Sequence, residues 1–581
     1  MGGQALPLRP STILAALCAA GVVAYALTGA GPYQLRVLTL AGVYGLNVIG
    51  YQLIFGHAGA LSLAQATFFG LGAYATALLS RSLGLDFLLT FPAAILVAGV
   101  VALAIAIPVL RLETHYLALA TLGVSQVALL VAINWQTVTG GANGLPDVPG
   151  IAAFGLALGR GLPTFLAVWA CLGIGLMVAA RMLSPQRRLR FELQRERPLA
   201  AAAVGIDRDR LRLVALLMSA GYGGAAGALY VHTTRVISPD ALAFSILVLT
   251  LAMTVIGGRL SLAGAILGAL LLTQIPEWFR FLDRYYLLAY GAAMLAMVVF
   301  APNGLAALVD RAVPKRASGR GEDRSPPAPA SPPRPFPAPR DGEPLPLAIA
   351  YLCKAFGGVV AVDVARLEVP PGQVCGIFGP NGSGKTTLLN LVSGFERADR
   401  GTIVAFGREL GRLPAFRRAE TGIARCFQQA MLLDDRPVLE NVAVAVRGSD
   451  LRAGRAAALP LLERCGLAAL AEQPCRSLSF GQRRLVELAR ALAGRPRLVL
   501  LDEPAAGLAD DDLARLGAVM AASRDVTWLI VDHNTTFLAA VADRLVCLDR
   551  GAVIADGAPA AVLRDPAVVD AYFGIAAEPG P

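Results

Sequence analysis

Residues Phe378–Thr387 read FGPNGSGKTT and fit the pattern G-x-x-x-x-G-K-[ST]. An apolar run, Gln373–Phe378, precedes the pattern, and Leu388–Val392 continues it as a helix start. A strand, a glycine loop and a helix are the setting such a loop needs. Glycines let backbone N–H groups curl around phosphate oxygens, and the helix N-terminus adds positive potential. The phosphate-binding candidates are Gly379, Pro380, Asn381, Gly382, Ser383, Gly384, Lys385, Thr386 and Thr387. Lys385 is placed to reach terminal phosphates, and Thr386 offers its hydroxyl to Mg²⁺. A second apolar run, Arg497–Leu501, ends in Asp502-Glu503. At a strand's C-terminal end, Asp502 suits holding Mg²⁺ through water, and Glu503 suits orienting and deprotonating an attacking water. The expected chemistry is Mg²⁺-assisted hydrolysis of a nucleoside triphosphate.

Between these runs Ser477–Arg484 reads SLSFGQRR. Alone, Ser479 fits a simple helix N-cap. Leu478-Ser479-Phe480-Gly481-Gln482 resembles the signature of ABC ATPases, where LSGGQ is commoner. The resemblance implies that these residues act on the ATP of a partner subunit in a head-to-tail dimer. It implies further roles by position. Phe356, in KAFGG, stands for the residue stacking on adenine. Gln428, in ARCFQQ, stands for the glutamine near Mg²⁺ and the permease contact, with Gln429 a lesser candidate. His533, in IVDHN, stands for the histidine on the γ-phosphate, completing a catalytic set of Glu503, His533 and Gln428. Ala509, in Gly507-Leu508-Ala509-Asp510, replaces the family's usual aspartate or asparagine, which bears on communication between sites. FGGVVAV, NLVSGFERADRGTI, GIARCFQ, VLENV and DPAVVDAYFG resemble the ATP-binding subunits of branched-chain amino acid importers, with a trimmed stretch at Met431–Arg476.

The elements that must position these residues are unequal halves. The 581 residues are 56% hydrophobic and 16% charged, against about 45–50% and about 25% in ordinary soluble domains. That excludes a disordered chain and argues against a chain soluble throughout. The apolar excess lies in residues 1–310. About ten runs there approach the roughly 20 residues that span a membrane: 12–29, 36–55, 60–80, 87–110, 115–134, 162–182, 211–231, 241–257, 262–276 and 284–301. Arg9 before the first run mimics a cleaved leader, but the spans that follow favour a retained anchor. Net charge is +10, and arginines gather in Arg181–Arg212 beside apolar runs. This fits a cytoplasmic loop better than a nucleic-acid surface. Eight cysteines without a C-x-x-C pair and four dispersed histidines indicate buried thiols and no metal centre.

Three polar or glycine-rich interruptions stand in the apolar half: Gly56–Tyr74, Thr139–Leu145 and Gly221–Gly227. Ser62 and Gln65 lie in the first and are candidates for a substrate path, because a buried amide in lipid needs a partner or water. Close helix packing is the expectation for Gly221–Gly227. GHAGALSLAQATFFGLGAY, YLALATLG, TGGANGL, GAAGALY…ISPD and TVIGGRLSLAGAILGA resemble the permease subunits of branched-chain amino acid ABC importers, across residues 30–305. Gln65 stands where these permeases commonly carry histidine. In them a short helix of the basic loop docks on the ATPase. The matching stretch is Arg195–Asp207, with Glu196, Ala200 and Gly205 as docking positions.

The chain is therefore expected to be an all-α polytopic membrane domain (1–310), a Pro-rich cytoplasmic linker (311–345) and an α/β ABC-type P-loop ATPase (346–581). The resemblance implies ATP-driven uptake of branched-chain or hydrophobic amino acids across a bacterial inner membrane. A urea or short-chain amide importer is the alternative. An exporter half and a non-transport membrane ATPase are the rival classes. Implied partners are a periplasmic solute-binding protein, the lipid bilayer, and a second permease and ATPase or a second copy; no nucleic acid is expected.

Overall fold

The structure is a computed structural model that describes residues 10–110, 114–153, 156–279, 285–301, 304–312 and 344–573. The chain divides into two compact units. One is Met1–Ser184 with Asp209–Asp323, and the other is Pro185–Arg208 with Arg324–Pro581. Most of the proline-rich linker, residues 313–343, lies outside the described residues.

The first unit is helical. Its helices Pro10–Thr28, Pro32–Tyr51, Gln65–Ser82, Phe87–Val109, Thr114–Asn134, Leu162–Met182, Arg208–Thr234, Phe244–Gly257, Leu262–Trp278 and Tyr286–Phe300 fall on the expected apolar runs. Among the described residues, six are long and apolar enough to cross a membrane. One boundary differs from expectation. The run at 60–80 becomes helix only at Gln65, after a π-helical turn Gln52–His57 and a non-helical stretch 58–64. Hydroxyls of helix Thr114–Asn134 take up part of the freed backbone. Leu63 N–H donates to Thr121 Oγ1 at 2.8 Å, and Ser125 Oγ donates to Leu63 O at 2.8 Å. Broken backbone at membrane depth survives where protein covers it in this way.

Glycines set the helix spacing. A Cβ at Gly224 would come within 2.6 Å of the Ala94 carbonyl oxygen, and one at Gly227 would run into the Phe69 carbonyl. Gly221–Gly227 is thus a packing stripe. Thr139–Leu145 ends in a two-way backbone bridge, Leu145 N to Ile237 O at 2.8 Å and Ile237 N to Leu145 O at 3.1 Å.

In the second unit a six-stranded sheet runs in the order Ala552–Gly557, Arg544–Asp549, Val374–Phe378, Thr527–Val531, Leu498–Asp502, Ile423–Cys426. All neighbours are parallel except the first pair. The central strands are continuous apolar runs because both faces are covered, as parallel sheets require; Thr527–Val531 and Leu498–Asp502 are buried throughout. A four-stranded antiparallel sheet adds Leu347–Phe356, Val359–Val369, Arg400–Ala405 and Arg408–Glu409. Four adjacent parallel strands deliver Gly379, Asp532-His533, Asp502-Glu503 and Phe427-Gln428 to one edge. Ligands bind there in open α/β sheets.

Candidate functional site

The loop after Phe378 is built on left-handed glycines. Gly384 has φ +96°, and a Cβ there would collide with the Ala361 carbonyl. Helix Lys385–Ser393 starts at once behind it. Lys385 is buried, and its ammonium donates to the carbonyls of Gly379 and Pro380, each at 2.8 Å, and to Ser383 Oγ at 3.3 Å. Burial pushes its pKa down, while Glu503, Cys547 and Asp502 pull it back up. A cation held over a ring of backbone groups fits a phosphate chain. Thr386 is exposed beside it, and Thr387 is half-buried.

Asp502 ends its strand buried in an ion pair. Arg425 Nη2 donates to its Oδ2 at 2.9 Å, with both side chains 5% exposed or less. Burial pushes the Asp502 carboxyl up, and Arg425 offsets part of that. Arg425 also donates to Asn390 Oδ1 at 2.6 Å and Ser393 Oγ at 2.8 Å, which ties the carboxylate to the helix after the glycine loop. Glu503 follows with φ +45°, a strained value for a residue with a side chain. Its N–H donates to Val531 O at 2.7 Å, and its carboxylate accepts from Gln428 Nε2 at 2.5 Å. The structure thus joins Gln428 to Glu503. Gln429 is exposed beside it. His533 is exposed, 3.7 Å from the Asp532 carboxylate.

The signature forms a reciprocal capping box. Ser479 Oγ accepts from Gln482 N–H at 3.2 Å, and Gln482 Oε1 accepts from Ser479 N–H at 3.0 Å. The N-cap reading and the signature reading therefore describe the same atoms. A Cβ on Gly481 would overlap the Asp512 carboxylate, Leu478 is buried, and Phe480 is exposed. Phe356 ends its strand half-exposed, with Lys354 Nζ 5.0 Å from the ring centroid. Ala509 is the N-cap of helix Asp510–Ala521 and makes no side-chain cap bond.

Three supporting residues escaped the sequence reading. Arg484, on helix Phe480–Ala493, donates to the carbonyls of Phe427, Asp502 at 3.1 Å and Glu503 at 2.8 Å, holding the ends of two neighbouring segments together. Asp532, fully buried, accepts from Ala505 N–H and Asn534 N–H, each at 2.8 Å. Tyr572 Oη accepts from Gly379 N–H at 3.1 Å, and its ring stacks on Phe378 at 6.0 Å. Adjacency to known motifs was a signal for Arg484 and Asp532. Tyr572 carried only its place in DPAVVDAYFG.

The basic loop belongs to this unit. Helix Pro185–Glu196 breaks at Arg197, and Pro198–Ala203 follows. Leu193, Ala200 and Ala201 are buried. Gly205, at φ +83°, passes beside Arg447. Glu196 pairs with Arg195 at 2.8 Å inside the segment. Arg197, expected with Glu196 at the start of the docking stretch, pairs with Asp434, and Glu192, upstream of that stretch and not singled out, pairs with Arg436.

In the helical unit, Gln65 lies in a closed polar chain. Its Nε2 donates to Asn47 Oδ1 at 2.7 Å, Ser219 Oγ donates to its Oε1 at 2.6 Å, and Asn47 Nδ2 donates to Thr250 Oγ1 at 2.9 Å. Ser62 is buried and accepts from Ala64 N–H at 3.4 Å, outside that chain.

Known proteins are similar to each part of the chain separately. Residues 33–300 match the family described as branched-chain amino acid transport system, permease component. Residues 362–506 match the ABC transporter family, and 552–578 match the branched-chain amino acid ATP-binding cassette transporter family. The high-affinity branched-chain amino acid transport ATP-binding protein BraF of Pseudomonas aeruginosa is 35% identical over 249 residues, covering 39% of this chain and 97% of that protein. LivG of Escherichia coli, a protein of the same description, is 32% identical over 248 residues, with the same coverage of 39% and 97%. The permease protein LivM of Escherichia coli is 31% identical over 292 residues, covering 46% of this chain and 69% of that protein.

Proposed function

The chain belongs to the branched-chain amino acid ABC transporters, with permease and ATPase in one membrane polypeptide, and from that premise we propose that it takes up branched-chain or other hydrophobic amino acids across a bacterial inner membrane. Relatives matching both halves carry branched-chain amino acid transport in their names, which favours this cargo over urea or short amides. A periplasmic binding protein would deliver the substrate. A second permease and ATPase, or a second copy, would complete the assembly, since the signature at Leu478–Gln482 serves a partner's nucleotide.

The glycine loop and Lys385 would hold the ATP phosphates, Phe356 would stack on adenine, and His533 would address the γ-phosphate. Mg²⁺ would be held by Thr386, by Asp502 and by Gln428, in part through water, and would neutralise phosphate charge. Glu503 takes the proton of the attacking water, and Gln428 holds its carboxylate in place. The observation that carries this reading is the pairing of Gln428 with Glu503 at 2.5 Å, on one sheet edge with the Lys385 loop. The segment Pro185–Asp207, including Glu196, Ala200 and Gly205, docks the permease to the ATPase. ATP-driven closure moves this segment, and the break at 58–64, with Ser62 and Gln65, is the part of the substrate path that moves in response. The test is Glu503→Gln in the reconstituted transporter. Hydrolysis should fall by about 10²–10⁴-fold, the scale of a lost general base, while ATP still binds. Retained substrate-stimulated hydrolysis removes Glu503 from the role.

A further inference from the structure

The docking segment meets the ATPase through two charge pairs of opposite polarity. Glu192, on helix Pro185–Glu196, accepts two hydrogen bonds from Arg436: Nε to Oε1 at 2.8 Å and Nη2 to Oε2 at 2.5 Å. Arg197, at the break that follows, donates from Nη2 to Asp434 Oδ2 at 3.1 Å and from Nε to Leu432 O at 3.2 Å. On the segment, acid precedes base. On the receiving loop, Asp434 and Arg436 present the complement two residues apart.

That loop is fixed from within the ATPase. Asn441, fully buried, accepts from Leu433 N–H at 2.7 Å and donates to Leu433 O at 3.0 Å. Arg483, on the signature helix, donates to Asp434 Oδ1 at 2.6 Å, and Arg436 also pairs with Glu440 at 3.4 Å. Both receiving charges are therefore held by contacts that do not involve the segment, and preorganised charges discriminate better than mobile ones. The Glu192–Arg436 pair is sheltered, its side chains 15% and 25% exposed, and Glu192 pushes the Arg436 guanidinium above its ordinary pKa. The outer pair, Arg197 and Asp434, is about 40% exposed and open to salt. Adhesion comes from helix Pro198–Ala203, which packs on helix Ala415–Glu420 and strand Ile423–Cys426 with Ala200 and Ala201 buried. Small apolar residues supply area without selectivity, so any alanine-rich docking helix would satisfy them. Like charges brought together in a sheltered contact cost several kcal/mol in general, and specificity is built from such repulsion.

We infer that Glu192–Arg436 and Arg197–Asp434 form a charge code by which this ATPase accepts the docking segment of its own chain and rejects a segment with other charges at those positions, such as one from a second, related permease. The inference rests on the docking reading above. To test it, the full-length chain is placed in inside-out membrane vesicles with a protease site inserted within residues 311–345. After cleavage and washing, the retained fraction of the ATPase fragment is measured. The unaltered chain should retain it. Glu192→Arg or Arg436→Glu alone should weaken retention at least about tenfold, and both together in one chain should recover at least about threefold of that loss, short of full retention because a carboxylate at position 436 also meets Glu440. If a reversal does not fold, as judged by ATP protection of the fragment from proteolysis, Glu192→Gln and Arg436→Gln form the same cycle, and their losses must be non-additive. A combined variant no better than the worse single one, or additive losses, overturns the code. Retention indifferent to every reversal keeps docking and overturns the code. A wild-type fragment that washes away overturns the docking reading and the code with it.

Discussion

The two compact units bury different kinds of polar group. In the helical unit the chain Asn47–Gln65–Ser219, extended by Thr250, is neutral, and Arg212 is the one buried formal charge among its described residues. In the ATPase unit Arg418, Arg425, Arg484, Glu487, Arg490 and Asp502 are all buried. A charge inside lipid costs several kcal/mol, so neutral amides and hydroxyls suit a membrane unit. In the ATPase unit several of these charges compensate one another, Arg425 with Asp502 and Glu487 with Arg484 and Arg490, because a buried ion is tolerated only when it is paired.

Breaking the ionic side of this contrast should have the largest effect. Arg425→Ala leaves Asp502 buried without its guanidinium and also unties Asn390 and Ser393. Removing one partner of a buried pair costs about 3–5 kcal/mol. Hydrogen exchange in strand Leu498–Asp502 should accelerate accordingly, and unchanged protection would erase the distinction between the units. The neutral side predicts less. Gln65→Leu strands Asn47 Oδ1 and the Ser219 hydroxyl, and hydrogen bonds between membrane helices are worth about 0.6–2 kcal/mol. Thermal unfolding of the purified transporter should register that loss. Transport KM sharpens the comparison further: a shift beyond about threefold would assign Gln65 to the substrate path as well as to packing, and an unmoved KM would leave it to packing alone.

These contrasts were unevenly legible in the sequence. Lys385, Asp502, Glu503 and the Ser479 cap are local patterns, because a glycine loop or a capping box spells its conformation within a few residues. The ten apolar runs were visible for the same reason, since span length is a property of contiguous sequence. Arg425–Asp502, Glu192–Arg436 and Gln65–Ser219 were not visible, because each joins residues between 77 and 244 positions apart. Which of many arginines meets a carboxylate is decided by sheet order and helix packing. The break at 58–64 was half-legible. Its glycine and polar residues marked an interruption, but the hydroxyls of Thr121 and Ser125 that make it tolerable lie on another helix.

The smallest expected effect probes a place where the ATPase unit uses a neutral contact. Gly379 begins the phosphate loop, and its N–H donates to Tyr572 Oη at 3.1 Å, while the phenol ring stacks on Phe378. Burial pushes the Tyr572 hydroxyl above its ordinary pKa, so it stays protonated and neutral at physiological pH. Tyr572→Phe keeps the stack and deletes one hydrogen bond in a half-exposed setting. Such a bond is worth about 0.5–1.5 kcal/mol, or about 2–12-fold in an equilibrium constant. Nucleotide affinity should weaken within that range, with kcat at saturating ATP changed by less than about twofold, because the hydroxyl positions the loop and meets no reacting atom. Tyr572→Ala should weaken affinity further by removing the stack. Equal affinities for Tyr572→Phe and the unaltered chain would show that helix Pro566–Phe573 props the loop by ring packing alone.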